Sequence, residues 1–126
     1  MKNILKYNIE TRNLEELEMP QENKLEFFQE HVRGLIEFVS LTDSIDMIVD
    51  EEGAIRGDRA TSLTIVKDNK TGFEIQLFGH VLFTSLDWET GETVGLNEVQ
   101  REYIEKNVTI RLQPLKIDLV KLRYTI

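Results

Sequence analysis

Two histidines are the first candidates for chemistry, because the ordinary pKa of histidine lies close to neutrality. His31 sits between Glu30 and Val32 on a predicted helix, off the face formed by Leu25, Phe28 and Val32. His80 follows Gly79 in strand-like sequence, where the missing side chain lets a ligand approach the backbone. Neither has a partner fixed by spacing, so neither is assigned a catalytic role. Asp43, Asp46, Asp50, Glu51 and Glu52 form an acidic cluster that could attract a hard cation. It lacks the alternating acids, glycine and distal glutamate of a calcium loop, and reads as two turns flanking a strand. Gly53-Ala54-Ile55-Arg56-Gly57 lacks the Lys-Ser/Thr ending of a phosphate loop. Arg56 and Arg59 flank Gly57 and could hold a phosphate or carboxylate, or pair with the acids just before them. Trp88, in a polar loop, offers a stacking surface. With no cysteine there is no thiolate and no disulfide. These groups compose no catalytic constellation, and the expectation is a protein that is not an enzyme, with no metal and no cofactor.

The net charge of -8 is unevenly spread. Residues 10–52 hold thirteen acids and three bases, a net of -10; residues 106–126 hold one acid and five bases, a net of +4. The acidic part disfavours contact with nucleic-acid phosphates and favours a basic partner. Its candidate contact residues are Glu15, Glu16, Glu22 and Glu26. Near the end of the chain, Arg111, Lys116, Lys121 and Arg123 alternate with apolar residues and would make one wet, basic strand face.

The elements that must position these groups follow from periodicity. Leu5, Tyr7 and Ile9 alternate with polar residues as in a half-buried strand. Residues 11–19 fit either a capped helix beginning at Asn13 or a second strand carrying Leu17 and Met19. Pro20 suits a helix start, and Leu25, Phe28, Val32 and Leu35 share one helical face, with Gly34 as the stop. Strands follow at Ile36–Leu41, Ile45–Val49 and Leu63–Val66, then a hairpin turn at Asp68-Asn69-Lys70-Thr71-Gly72 and a returning strand through Phe73, Ile75 and Leu77. Gly79 suggests a bulge or a bend in strand-like sequence that continues to Phe83. Asn97 and Gln100 have the spacing of a capping box that opens a second helix. Val108, Ile110 and Leu112 begin a last strand. Pro114 implies a bulge or an edge position, and the change of apolar parity between Leu119 and Val120 is what a bulge produces.

Residues 24–107 resemble a family of small phage and plasmid accessory proteins known only as a domain of unknown function. The resemblance rests on Glu37-Phe38-Val39 after the first helix, on the acidic turn Asp50-Glu51-Glu52-Gly53, on Gly79-His80-Val81-Leu82-Phe83, and on Asn97-Glu98-Val99-Gln100 at the second helix. Arg56-Gly57-Asp58-Arg59 departs from the prolines and Asn-Arg pair often found in that family's central loop. The resemblance implies an origin in mobile elements, where small non-enzymatic proteins often disarm host defences. It brings no known activity.

The fold expectation is α+β: a mostly antiparallel sheet with two helices on one face, its N- and C-terminal strands pairing with each other or across a homodimer. One domain, 1–126, would comprise the 24–107 core and a basic strand extension, 108–126. The opening residues lack the apolar core of a signal peptide, and no apolar run reaches the roughly 20 residues of a membrane span, so the expected place is the host cytoplasm. The functional expectation is an anti-defence inhibitor, acting on a CRISPR or restriction effector, that binds a host protein through its acidic surface and makes no direct contact with nucleic acid or membrane. The alternative is a small-ligand or nucleotide-binding module, such as a sponge for a defence signal, that uses Arg56, Arg59, His80 and Trp88.

Overall fold

A computed structural model describes residues 3–51 and 62–114. In chain order the elements are β1 (Asn3–Asn8), β2 (Asn13–Glu18), α1 (Lys24–Val32), β3 (Ile36–Ser40), β4 (Ile45–Asp50), β5 (Ser62–Asp68), β6 (Glu74–Phe78), β7 (Val81–Leu86), β8 (Thr93–Val94), α2 (Glu98–Asn107) and β9 (Val108–Pro114). The architecture is α+β, and every strand pairing among the described residues is antiparallel. The strands form two sheets. The larger runs β2-β1-β7-β4-β3, with β8 also on β7; the smaller runs β6-β5-β9.

The expected single sheet with both helices on one face is therefore corrected. The reason lies in β4 and β7, which are apolar at both parities. Met47, Val49, Val81 and Phe83 join Leu5, Tyr7, Val66, Leu77 and Ile104 in one core cluster, which is covered by the small sheet and α2. Ile48 and Leu82 join Ile4, Phe28 and Val32 in a second cluster on the opposite face, beneath α1. A sheet buried on both faces needs two covers. Each large side chain buried there contributes roughly 1.5–3 kcal/mol, which fixes the layer order.

The expected pairing of the terminal strands with each other within the chain is corrected too. β1 lies between β2 and β7, while β9 pairs with β5 in the other sheet. Its Val108, Ile110 and Leu112 pack on the core, and Thr109, Arg111 and Gln113 face outward, as the alternation implied. The parity change at Leu119 and Val120 falls outside the described residues. Residues 13–18 take the strand alternative.

Local signals mostly hold. The Asn97–Gln100 capping box is present in both directions, at 2.8 and 2.9 Å. Helix α1 starts later than Pro20, after Asn23, and ends on Arg33 in the left-handed conformation (φ 64°), a role expected of Gly34. Phe28 and Val32 are buried, but Leu25 and Leu35 of the expected face are exposed. Gly79 (φ 79°) is where the chain leaves the small sheet for the large one, the bend rather than the bulge of the two expected, and its carbonyl accepts from the Thr64 hydroxyl at 2.8 Å.

Candidate functional site

At one end of the large sheet, two grooves share a turn. On the α1 face, Phe38 pairs with Ile48, Ser40 with Asp46, and Asp46 with Thr84, so Phe38, Ser40 and Asp46 line up beyond the helix. With Leu86, Trp88, Thr93 and the Leu41–Ser44 turn they line an open groove of about 970 Å³. Trp88 is 75% exposed. Its loop is held by Gly91 N–H donating to the Asp87 carbonyl at 2.7 Å and by Glu89 N–H donating to Oδ1 of Asp87 at 2.9 Å, so the indole stands on a fixed turn. Burial pushes the Asp46 carboxyl above its ordinary pKa, and a hydrogen bond from Ser40 partly offsets that.

Across the turn lies a second groove of about 560 Å³, lined by Leu41, Thr42, Asp43, Ser44, Ile45, Thr71, Phe73, Val99, Gln100 and Tyr103. Val99, the second residue of α2, is 75% exposed. The shared turn is a rigid ridge. The Thr42 hydroxyl accepts from Ile45 N–H at 3.0 Å and from Ser44 N–H at 3.2 Å. The Gln100 amide reaches over from α2 and donates to the Ser44 carbonyl at 3.0 Å and to the Ser85 hydroxyl at 2.8 Å. A third groove, about 510 Å³, continues from Phe38 and Thr93 towards Leu25 and Ile36.

A family model described as a domain of unknown function, DUF3846, matches residues 1–109. The chain belongs to the DUF3846 family. The match starts at the first residue rather than at 24, so β1 and β2 are part of the family's domain, and most of β9 lies beyond its end. No curated protein and no solved structure matches the chain.

Within this DUF3846 domain, the four acids expected to form one surface are dispersed. Glu15 pairs with Lys6 on the α1 face, and Glu16 pairs with Leu5 on the other face. Glu16 accepts two hydrogen bonds from Arg101 on α2, at 2.6 and 2.7 Å. Glu15 accepts from the Asn8 amide at 3.1 Å. Glu22 and Glu26 are exposed at the entry to α1. Trp88 and His80 are not brought together either. They flank opposite ends of β7, a six-residue strand spanning roughly 20 Å. His80 is only 3% exposed. Arg111 is exposed on β9, while Arg56, Arg59, Lys116, Lys121 and Arg123 lie outside the described residues.

The polar group that sequence reading missed is Lys6. It occupies the polar phase of an alternating strand, which signals exposure, yet β1 is a central strand beneath α1 and Lys6 is buried. Its Nζ lies 3.2 Å from Nδ1 of His31. An ammonium can only donate, so that nitrogen accepts and the ring is neutral. Burial lowers the pKa of Lys6, of His31 and of His80, and the Lys6 charge lowers both histidines further. His80 Nδ1 lies 3.2 Å from Ile9 N–H, the Tyr7 backbone also hydrogen-bonds the ring, and Nε2 is a buried atom without a partner. This cluster ties α1 and the β6–β7 turn to β1. Among the described residues, no three His, Cys, Asp or Glu gather as a metal ion would require, and no helix is long and apolar enough to cross a membrane.

Proposed function

We propose that this DUF3846 protein is a non-catalytic binding protein that inhibits a host macromolecule, and that it docks through the two grooves around Thr42, Asp43 and Ser44. One observation carries the reading. Seven large apolar side chains are exposed among the described residues, and four of them (Phe38, Phe73, Trp88 and Val99) line the grooves on either side of this one turn. Exposed apolar residues scattered singly need no explanation, but a gathered set rimmed by polar groups marks an interaction surface. Tryptophan and phenylalanine on a rigid frame are the usual anchors of such surfaces, because little side-chain freedom is lost on binding. In the mobile-element setting that the resemblance implies, the partner is a nucleic-acid-binding defence enzyme, whose basic channel suits a chain of net charge -8.

The nucleotide-sponge reading has less support. The groove that contains Trp88 has no lysine, arginine or histidine among its lining residues and carries two aspartates, an environment that repels phosphate. The experiment is reconstitution. The partner is recovered by co-purification and identified, and its activity is titrated with this protein. The expected result is dose-dependent inhibition that is lost in the Phe38→Ala/Trp88→Ala double variant. Inhibition unchanged in that variant, or a large thermal stabilisation by free nucleotides that depends on Trp88, would overturn the reading.

A further inference from the structure

We infer that the Phe38–Trp88 groove contains a subsite for a single arginine side chain of the partner, held between the two aromatic faces and the Asp46 carboxylate. The inference rests on the docking role proposed above and specifies the chemistry of its occupant.

Three independent features converge. Phe38 is 49% exposed and Trp88 is 75% exposed, and both line one groove, so two aromatic faces stand open to a ligand. The charged side chains in that lining are Asp43 and Asp46, with no cation among the lining residues. Asp46 is not an ordinary surface acid. It lies partly buried on the sheet, opposite Ser40 on one side and Thr84 on the other, and burial disfavours its charge. A cation that approaches it removes that penalty. Thr84, directly across from Asp46 and on the same face of the sheet, is fully buried with its hydroxyl oxygen unpartnered, so the groove floor adjoins further unsatisfied polarity.

Arginine fits this setting better than lysine. Its guanidinium is planar and weakly hydrated, stacks on aromatic faces, and presents paired N–H donors to a carboxylate. A lysine ammonium would keep more of its water and would match one oxygen at a time. A phosphate or a carboxylate ligand would meet the wrong sign of charge. The ridge carrying Asp43 is held by Gln100 and Thr42, so both acids are presented without ordering a loop first.

The test uses Trp88, the chain's single tryptophan, as the reporter. The intact protein is titrated with acetyl-Gly-Arg-Gly-amide and with the same peptide bearing citrulline, a neutral near-isostere, while tryptophan emission and backbone amide shifts are followed. The expected result is a saturable change with the arginine peptide, binding about tenfold or more tighter than the citrulline peptide, weakened by salt. In Asp46→Asn the difference between the two peptides should shrink to about threefold or less, with no fall in melting temperature, because a partly buried charge is removed. Should Asp46→Asn fail to fold, Asp43→Asn, at an exposed turn position, should give a smaller loss of the same preference. Equal binding of both peptides, no saturable response to either, or a preference that survives Asp46→Asn would overturn the arginine subsite. If inhibition of the partner still depends on Phe38 and Trp88 in that event, the docking role stands and only the occupant is wrong.

Discussion

The two ends of β7 treat polar and apolar groups in opposite ways. At the His80 end, ionisable side chains are withdrawn from solvent: Lys6 and His80 are buried and His31, on α1, is half-buried, with lowered pKa values and one unpartnered ring nitrogen. At the Trp88 end, apolar side chains stand in solvent around a hydrogen-bonded ridge. Buried polar groups that are tied to neighbours position elements. Exposed apolar groups on a rigid frame contribute nothing to folding where they stand and gain only when something covers them. The first end therefore reads as structural and the second as the surface for a partner, although the first holds the residue types that sequence reading associates with chemistry.

The contrast can be broken at several strengths. The largest effect should come from Phe28→Ala, which empties the α1 contact over Ile4, Ile48 and Leu82. We expect a loss of about 3–5 kcal/mol in denaturant unfolding, with faster hydrogen exchange along β1, because the cover of the polar cluster is loosened. Next is Gln100→Ala. It removes the side-chain half of the capping box, in which Gln100 Oε1 accepts from Asn97 N–H, together with the bond to the Ser44 carbonyl on the ridge and the bond to the Ser85 hydroxyl on β7, for a loss of about 1–3 kcal/mol. It should also perturb Trp88 emission, since the ridge borders that groove.

A smaller effect is expected from pH. The folded-state pKa values of His31 and His80 lie below the ordinary 6.5, so between those values the unfolded chain takes up protons that the folded chain refuses. The histidine contribution to stability is thus intact above pH 6.5 and declines as the pH falls below it. Lys6, Arg33, Glu10, Glu15 and Glu30 set the local field. Comparison of melting temperatures between pH 7.5 and 5.5 should show a shallower decline in His80→Gln than in the parent protein. An equal decline would place the sensitivity elsewhere. The smallest effect on stability belongs to Phe38→Ala with Trp88→Ala, within roughly 0.5 kcal/mol for substitutions at exposed sites, despite the loss of two aromatic rings.

Much of this frame was legible in the residues. The Asn97–Gln100 capping box, the Asp68–Gly72 hairpin turn and the alternation of β9 depend on neighbours in sequence, and they formed as read. What depended on distant partners did not follow from pattern. The two-faced burial of β4 and β7 is visible in their uninterrupted apolar runs, but nothing local says that a second sheet, rather than a second helix alone, supplies the other cover. Lys6 looked solvent-facing because alternation cannot distinguish a central strand from an edge. Glu15 and Glu16, adjacent in sequence, had to point to opposite faces once 13–18 became a strand; an acidic surface built from both required the helix. Trp88 was singled out correctly as a loop aromatic. Phe38, which lines the same groove, was placed only on a strand; its exposure was not legible, because exposure at β3 is set by how far α1 extends over the sheet.

Docking through the grooves is separable from docking through the acids by capture of the partner from host extract with three proteins side by side: the parent chain, Phe38→Ala/Trp88→Ala, and a variant with Glu15, Glu16, Glu22 and Glu26 all changed to Gln. One identified partner should be retained by the parent and by the glutamine variant and lost from the double alanine variant. Retention by the double alanine variant together with loss from the glutamine variant would contradict docking through the grooves, and would return the binding surface to the dispersed acids.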